Sequence, residues 1–161
     1  MKKAALMASM MLTLFQLGSC SNATFTKVSE PETQASEMPV DIEEVQSFTR
    51  ITLPKSYREL HVYDNKERGR LMAVRFTMDR SELEEFLIAA GYKGKVKLND
   101  SRELGNGQLS WKKWWTPDNA KNYLSGRIRE ENSGLVWQSK MRVDLASEQT
   151  VIVYLLVLEA S

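Results

Sequence analysis

The chain has 161 residues, 42 % hydrophobic and 27 % charged, with a formal net charge of +1, one histidine and one cysteine. That size and balance suit a single domain held together by apolar burial, and they exclude collagen-like, coiled-coil and largely disordered chains. The charge is uneven: residues 21–46 carry one lysine against six acidic residues, a balance of −5, whereas residues 47–161 carry +4 with no basic stripe. An acidic segment repels nucleic acid and anionic headgroups, and a dispersed positive excess reads as a solvated surface, so no nucleic-acid partner is expected.

Residues 1–19 open with Lys2 and Lys3, run through apolar residues from Ala4 to Phe15, and close with the small residues Gly18 and Ser19. This is the layout of a secretory signal peptide, too short to remain as a membrane-spanning helix, which needs about 20 apolar residues. The sequence Leu17-Gly18-Ser19-Cys20 resembles the lipobox of bacterial lipoproteins: a branched apolar residue, two small ones, then cysteine. The resemblance implies that the Cys20 thiol takes a diacylglyceryl group as a thioether, that cleavage precedes it, and that the freed amine is acylated, commonly with palmitate. Small residues at 18 and 19 let an extended backbone approach the processing enzymes, and a thiol supplies the nucleophile. Each buried methylene then adds about 0.8 kcal/mol of membrane affinity. No other cysteine follows, so no internal disulfide competes for that sulfur. By the family's sorting rule an aspartate after the cysteine retains such proteins at the inner membrane. Ser21 stands there instead, so delivery to the periplasmic face of the outer membrane is expected.

Residues 20–46 then read as the lipidated cysteine and a flexible, acidic tether rich in Ser, Thr, Glu, Gln and Pro, with at most a helical turn over Asp41–Val45. A single domain is expected over 47–161. Its first strand is predicted at Phe48-Thr49-Arg50-Ile51-Thr52-Leu53, which alternates and is closed by Pro54. Residues 59–63 and 70–78 are read as a hairpin across the polar turn 64–69. Ser81-Glu82-Leu83-Glu84 has the form of a capping box, and Leu83, Phe86, Leu87 and Ala90 follow at helical spacing. Gly91 stands where a left-handed cap is needed, which gives a helix over about 81–90 with its apolar stripe against the sheet. Residues 92–108 are read as a long irregular connection. Thr116-Pro117-Asp118 announces a shorter helix over about 117–124, ended by Gly126. Strands are predicted at 127–131, 135–145 and 150–158, the last apolar on both faces and therefore central. The sum is an α+β fold with a mostly antiparallel sheet of about five to six strands. The order of Leu53-Pro54, Arg75-Phe76-Thr77, Glu85-Phe86-Leu87, Trp114-Trp115-Thr116-Pro117 and Val153-Tyr154-Leu155 resembles small bacterial α+β proteins to which no activity is assigned, and it implies the fold alone.

Candidate chemistry is sparse. His61 is the single histidine, so a triad has one conceivable base and no nucleophile elbow accompanies it, while the carboxylates lack any metal-loop spacing. No catalytic residue, metal or cofactor is expected. Glu82, Glu84 and Glu85 divide between a helix cap and a solvated face. Trp111, Trp114 and Trp115, with Lys112 and Lys113 between them, form the strongest constellation. Exposed, such rings stack on a sugar face or cradle a peptide while the lysines recruit carboxylates; buried, they close the ends of the sheet, the usual fate of large aromatics. The leading expectation is a membrane-anchored, non-enzymatic envelope lipoprotein that binds an envelope protein or a cell-wall component. A periplasmic immunity or inhibitor protein is an alternative, and an enzyme with a carboxylate and His61 is another.

Overall fold

A computed structural model describes residues 40–160, apart from 103, 106, 108 and 146. Its centre is a six-stranded antiparallel sheet in the order β1-β2-β6-β5-β4-β3, formed by β1 (Arg58–Asn65), β2 (Arg70–Asp79), β3 (Val96–Leu98), β4 (Tyr123–Asn132), β5 (Leu135–Asp144) and β6 (Thr150–Ala160). The fold is α+β, as the pattern of strands with interposed helices implies. β6 lies between β2 and β5, and its residues 153–157 are all buried, which accounts for an apolar strand that does not alternate.

One face of the sheet carries the main core. Alternate residues of β2 (Met72, Val74, Phe76, Met78), of β5 (Trp137, Met141, Val143) and of β6 (Val151, Val153, Leu155, Val157) point the same way. The helix α2 (Leu83–Ala89) covers them with Phe86 and Ala90 buried and Leu83 and Leu87 partly so, the predicted stripe. Phe86 meets Phe76 edge to face at 5.7 Å. At the far end of α2 the Gly91 amide donates to the Ile88 carbonyl and the Tyr92 amide to that of Leu87. Gly91 has φ +73°, a conformation that a residue with a Cβ adopts only under strain.

The start of α2 departs from the capping-box reading. A 3₁₀ turn, Arg80–Glu82, runs from the end of β2 into the helix, so Ser81 lies within the turn and the capping position falls to Glu82, which makes no side-chain cap bond. The entry is fixed instead by the Arg80 amide donating to the Gln149 carbonyl at 2.9 Å.

The strand expected over 48–53 is not in the sheet. Residues Ile42–Thr49 form a helix, α1, capped by the Asp41 carboxylate, which accepts from the amides of Glu43 and Glu44 at 3.0 and 3.1 Å. Val45 and Thr49 are buried, so α1 packs on the core, and the boundary expected between 46 and 47 falls inside it. The alternation that suggested a strand is real. Ile51 and Leu53 point inward and Thr52 outward in an extended stretch, but the stretch joins the helix side of the core and has no ladder partner. Arg70 fastens α1 to the β1–β2 hairpin, donating to Glu44 at 2.6 Å and Asp64 at 2.8 Å with its guanidinium 4.2 Å from the Phe48 ring. Hydrogen bonds from Lys66 and then Arg70 hold the Glu44 carboxyl below its usual range.

Within 92–108 the short strand β3 was not predicted. It pairs with Leu124–Gly126, and Gly126 permits the approach, since a Cβ there would stand 2.8 Å from the Lys95 carbonyl oxygen. The shorter helix is a single 3₁₀ turn, Pro117–Asn119, because Tyr123 already belongs to β4. Glu59 has φ +52° beside a register shift between Arg58 and His61, a bulge in the edge strand β1.

Phe86→Ala is expected to lower stability by about 3 kcal/mol in urea denaturation, while Leu98→Ala, at 62 % exposure, changes it by no more than about 0.5 kcal/mol.

Candidate functional site

Among the described residues no α-helix lies over the second face of the sheet. The described part of residues 99–122 crosses it as a strap, and Leu104, Leu109 and Trp115 bury themselves against Ala73, Tyr154 and Leu156. One rung of cross-strand partners underlies the strap: His61 opposite Arg75, Arg75 opposite Tyr154, Tyr154 opposite Arg142, Arg142 opposite Ser125, and Ser125 opposite Lys97. Most of these side chains hold a piece of the strap. The Ser125 hydroxyl donates to the Asp100 carbonyl, Tyr154 and Thr116 share a hydroxyl–hydroxyl bond of 3.2 Å, and Arg142 Nη1 donates to the Pro117 carbonyl and the Asp118 carboxylate, each at 2.9 Å. At the strap's start the Asn99 amide donates to the Tyr123 carbonyl at 2.8 Å, and the Tyr123 amide returns a bond to Asn99 Oδ1 at 3.0 Å.

The three indoles of the predicted constellation meet three different fates. Trp115 is 2 % exposed, edge-on to Tyr154 at 5.6 Å, with its Nε1–H donating to the Gly105 carbonyl at 3.3 Å. Trp114 is half-buried, edge-on to Trp115 and stacked on the His61 ring at 5.4 Å and 13°. Trp111 is 61 % exposed and rests edge-on against Tyr63 at 5.2 Å. Lys112 Nζ stands 4.4 Å from the Trp111 ring centre and 5.2 Å from that of Tyr63, while Lys113 is exposed. An indole, a phenol and an ammonium thus form one surface able to stack on an apolar ring face and attract a carboxylate.

His61 sits on the edge strand β1, half-buried under Trp114. The neighbouring carboxylate, Glu59, accepts a bond from the Thr77 hydroxyl at 3.0 Å and lies 3.8 Å from Arg75. Among the described residues no group of three His, Cys, Asp or Glu side chains converges as a metal site, and no helix is long and apolar enough to cross a membrane. Cys20 and the lipobox residues Leu17, Gly18 and Ser19 lie outside the described residues. A separate apolar groove of about 320 Å³ opens on the helix side between Leu53–Lys55 and α2, with Glu82 and Glu85 at its rim. It gathers none of the tryptophan-loop residues.

Sequence reading did not single out Tyr63, Arg75, Arg142 or Tyr154, and a signal was present for Arg75 alone. Arg75 interrupts the apolar run that begins at Leu71, whereas Arg142 stands in an alternating strand and Tyr154 in an apolar one, and only strand register brings the three positions onto one rung.

Compared with models of known protein families, with curated protein sequences and with solved structures, the chain matches none.

Asp100 anchors the first turn of the strap. The Arg102 guanidinium donates to it from Nε at 3.0 Å and from Nη2 at 2.9 Å, and the Arg102 amide donates at 3.3 Å, which holds the Asp100 carboxyl down to about 2 from its ordinary 3.8. Because the folded value lies below the ordinary one, this link is complete above about 3.8 and is lost as pH falls through about 2. A carboxyl-carbon NMR titration is expected to place Asp100 near 2 in the wild type and to return it toward 3.8 in Arg102→Ala.

Proposed function

We propose that this chain is a membrane-anchored envelope lipoprotein whose α+β domain is a non-enzymatic binding module, and that it engages a carboxylate-bearing cell-wall component through the Trp111 edge of its strap. The observation that carries the binding half is the contrast among the indoles. Trp115 is spent on the core and Trp114 on His61, but Trp111 leaves 61 % of its surface in solvent with the Lys112 ammonium beside it. A large aromatic is normally buried, and one left out next to a cation is the composition of a contact surface. The anchoring half rests on Leu17-Gly18-Ser19-Cys20 after a charged and apolar leader, and the delivery to the outer membrane on Ser21 in place of aspartate. Short motif and exposed ring support the same picture: a small domain held near a surface, offering a rigid side for contact.

Cells fed an alkyne-tagged palmitate are expected to label the wild-type protein and to leave Cys20→Ser unlabelled; an unlabelled wild type after export ends the anchoring half. Purified sacculi are expected to sediment the detergent-solubilised protein, with Trp111→Ala weakening retention roughly tenfold, the loss that about 1.4 kcal/mol represents. Retention unchanged by that substitution removes the Trp111 edge as the contact.

A further inference from the structure

The groove on the helix side of the sheet takes no part in the contact surface proposed above. One of its walls is residues 52–55, which continue the extended stretch without a ladder partner, and the other is the side of α2 that carries Glu82, Glu85, Phe86 and Ala89. Leu53 and Phe86 are buried and belong to the core, while Pro54 and Ala89 keep apolar surface in solvent. Helical spacing sets Ala89 on the same side as Glu85 and Phe86, and its single methyl leaves the gap open where a longer side chain would lie across it. At about 320 Å³ the space is of the size that takes a ligand. The walls are fixed from outside the groove. The Leu53 amide donates to Gln46 Oε1 at 2.8 Å, the Tyr57 amide to the Pro54 carbonyl at 3.1 Å and the Asp79 amide to the Ser56 hydroxyl at 2.9 Å, with the Ser56 amide 3.5 Å from Glu82 Oε2. A groove held open beforehand loses little conformational entropy when it is filled.

Two features of the walls specify what fits. The first is backbone. The Leu53 amide is turned toward α1, and successive residues of an extended chain turn their polar groups to opposite sides, so the Thr52 amide and carbonyl face away from α1. Thr52 is exposed and lines the groove, and among the described residues nothing hydrogen-bonds to its backbone. An N–H and a C=O presented together by one residue are what an added antiparallel strand pairs with. The second feature is charge. Glu82 and Glu85 face Lys55, a balance of 1 − 2 = −1, and among the described residues none of the three is ion-paired. Lys55 adjoins Ser56 at the Glu82 end, which leaves Glu85 the less compensated carboxylate. Ala89 and Glu85 are four residues apart on α2, about 6 Å along its axis. Side chains two apart on one side of an extended peptide are separated by about 6.6 Å, so an apolar residue opposite Ala89 brings a basic one opposite Glu85.

We infer that this groove is the docking site for an extended peptide segment of a partner protein: the segment pairs with Thr52 as an added strand, an apolar side chain of leucine size fills the space between Pro54 and Ala89, and a lysine or arginine two positions away meets Glu85. The site is independent of lipidation and of the Trp111 surface, which lies on the other face of the sheet.

The test is a titration of the full-length protein, kept in a neutral detergent, with the peptide acetyl-Lys-Thr-Leu-Thr-Lys-amide, which offers a basic residue on either side of its anchor. The Thr52 and Ala89 amides, followed by ¹H–¹⁵N NMR, are expected to shift and saturate together. Ala89→Leu, which fills the groove with a residue suited to a helix, should abolish the response, and Glu85→Gln should weaken it several-fold. Both positions are exposed, so the fold survives either change. Peptides with alanine in place of leucine, or with glutamates in place of the lysines, are expected to bind several-fold more weakly. No saturable shift, equal responses to the lysine and glutamate peptides or to the leucine and alanine peptides, or a response that Ala89→Leu leaves unchanged would overturn the inference. So would concentration-dependent dimerisation in analytical ultracentrifugation that Ala89→Leu abolishes, since the groove would then belong to a second copy of the chain.

Discussion

A six-stranded sheet whose central strand is apolar on both sides must be covered on both sides, and the described residues hold only two short α-helices to do it with. Both α1 and α2 contribute to the same core cluster, which commits them to one face. The other face falls to the strap, whose described residues form one 3₁₀ turn and otherwise irregular backbone. Irregular backbone cannot satisfy its own amides and carbonyls as a helix does, so a covering loop has to be held by side chains from beneath. The rung from His61 to Lys97 answers that need. It replaces apolar residues at the centre of the sheet with groups that reach up to Trp114, Thr116, Pro117 and Asp100.

This arrangement explains why the tryptophans behave differently from one another although they are neighbours in sequence. The 3₁₀ turn at Pro117 and the Tyr154 hydroxyl fix Thr116, which sets Trp115 over the apolar part of the sheet. Trp114 then faces the edge strand, and Trp111, at the start of the turn, falls beyond the apolar area and touches only Tyr63 and Lys112. Exposure of Trp111 is thus a consequence of where the strap is pinned. The same pins bury Arg142, whose charge is only partly met by the Asp118 carboxylate on the solvent side.

The sequence made the elements with strong local codes legible. The helix at 81–90 carried both its stripe and its terminal glycine, and the hairpins 59–78 and 135–158 carried alternation or continuous apolar runs between polar turns. Two errors have physical causes. At Phe48–Leu53 the alternation points to a paired strand, but alternation reports only that one side of an extended chain is buried. The Asp41 cap, the acidic first turn and the spacing of Val45, Phe48 and Thr49 were a competing helical code in the same stretch. β3 was missed because three residues are too few to show a period, and its position depends on Gly126, nearly thirty residues away. The tryptophan constellation was visible as a composition, whereas the split among its rings, and the rung that causes it, depend on register between strands distant in sequence.

The edges of the sheet bear on how copies behave when crowded together, as proteins held side by side on a surface would be. On one flank the left-handed Glu59 puts a bulge into β1. On the other, three-residue β3 leaves the distal half of β4 to Arg127, Arg129, Glu130 and Glu131, most of it out in solvent. A kinked margin and a charged one are poor templates for strand addition. Strand addition between copies is therefore disfavoured at both margins of the sheet.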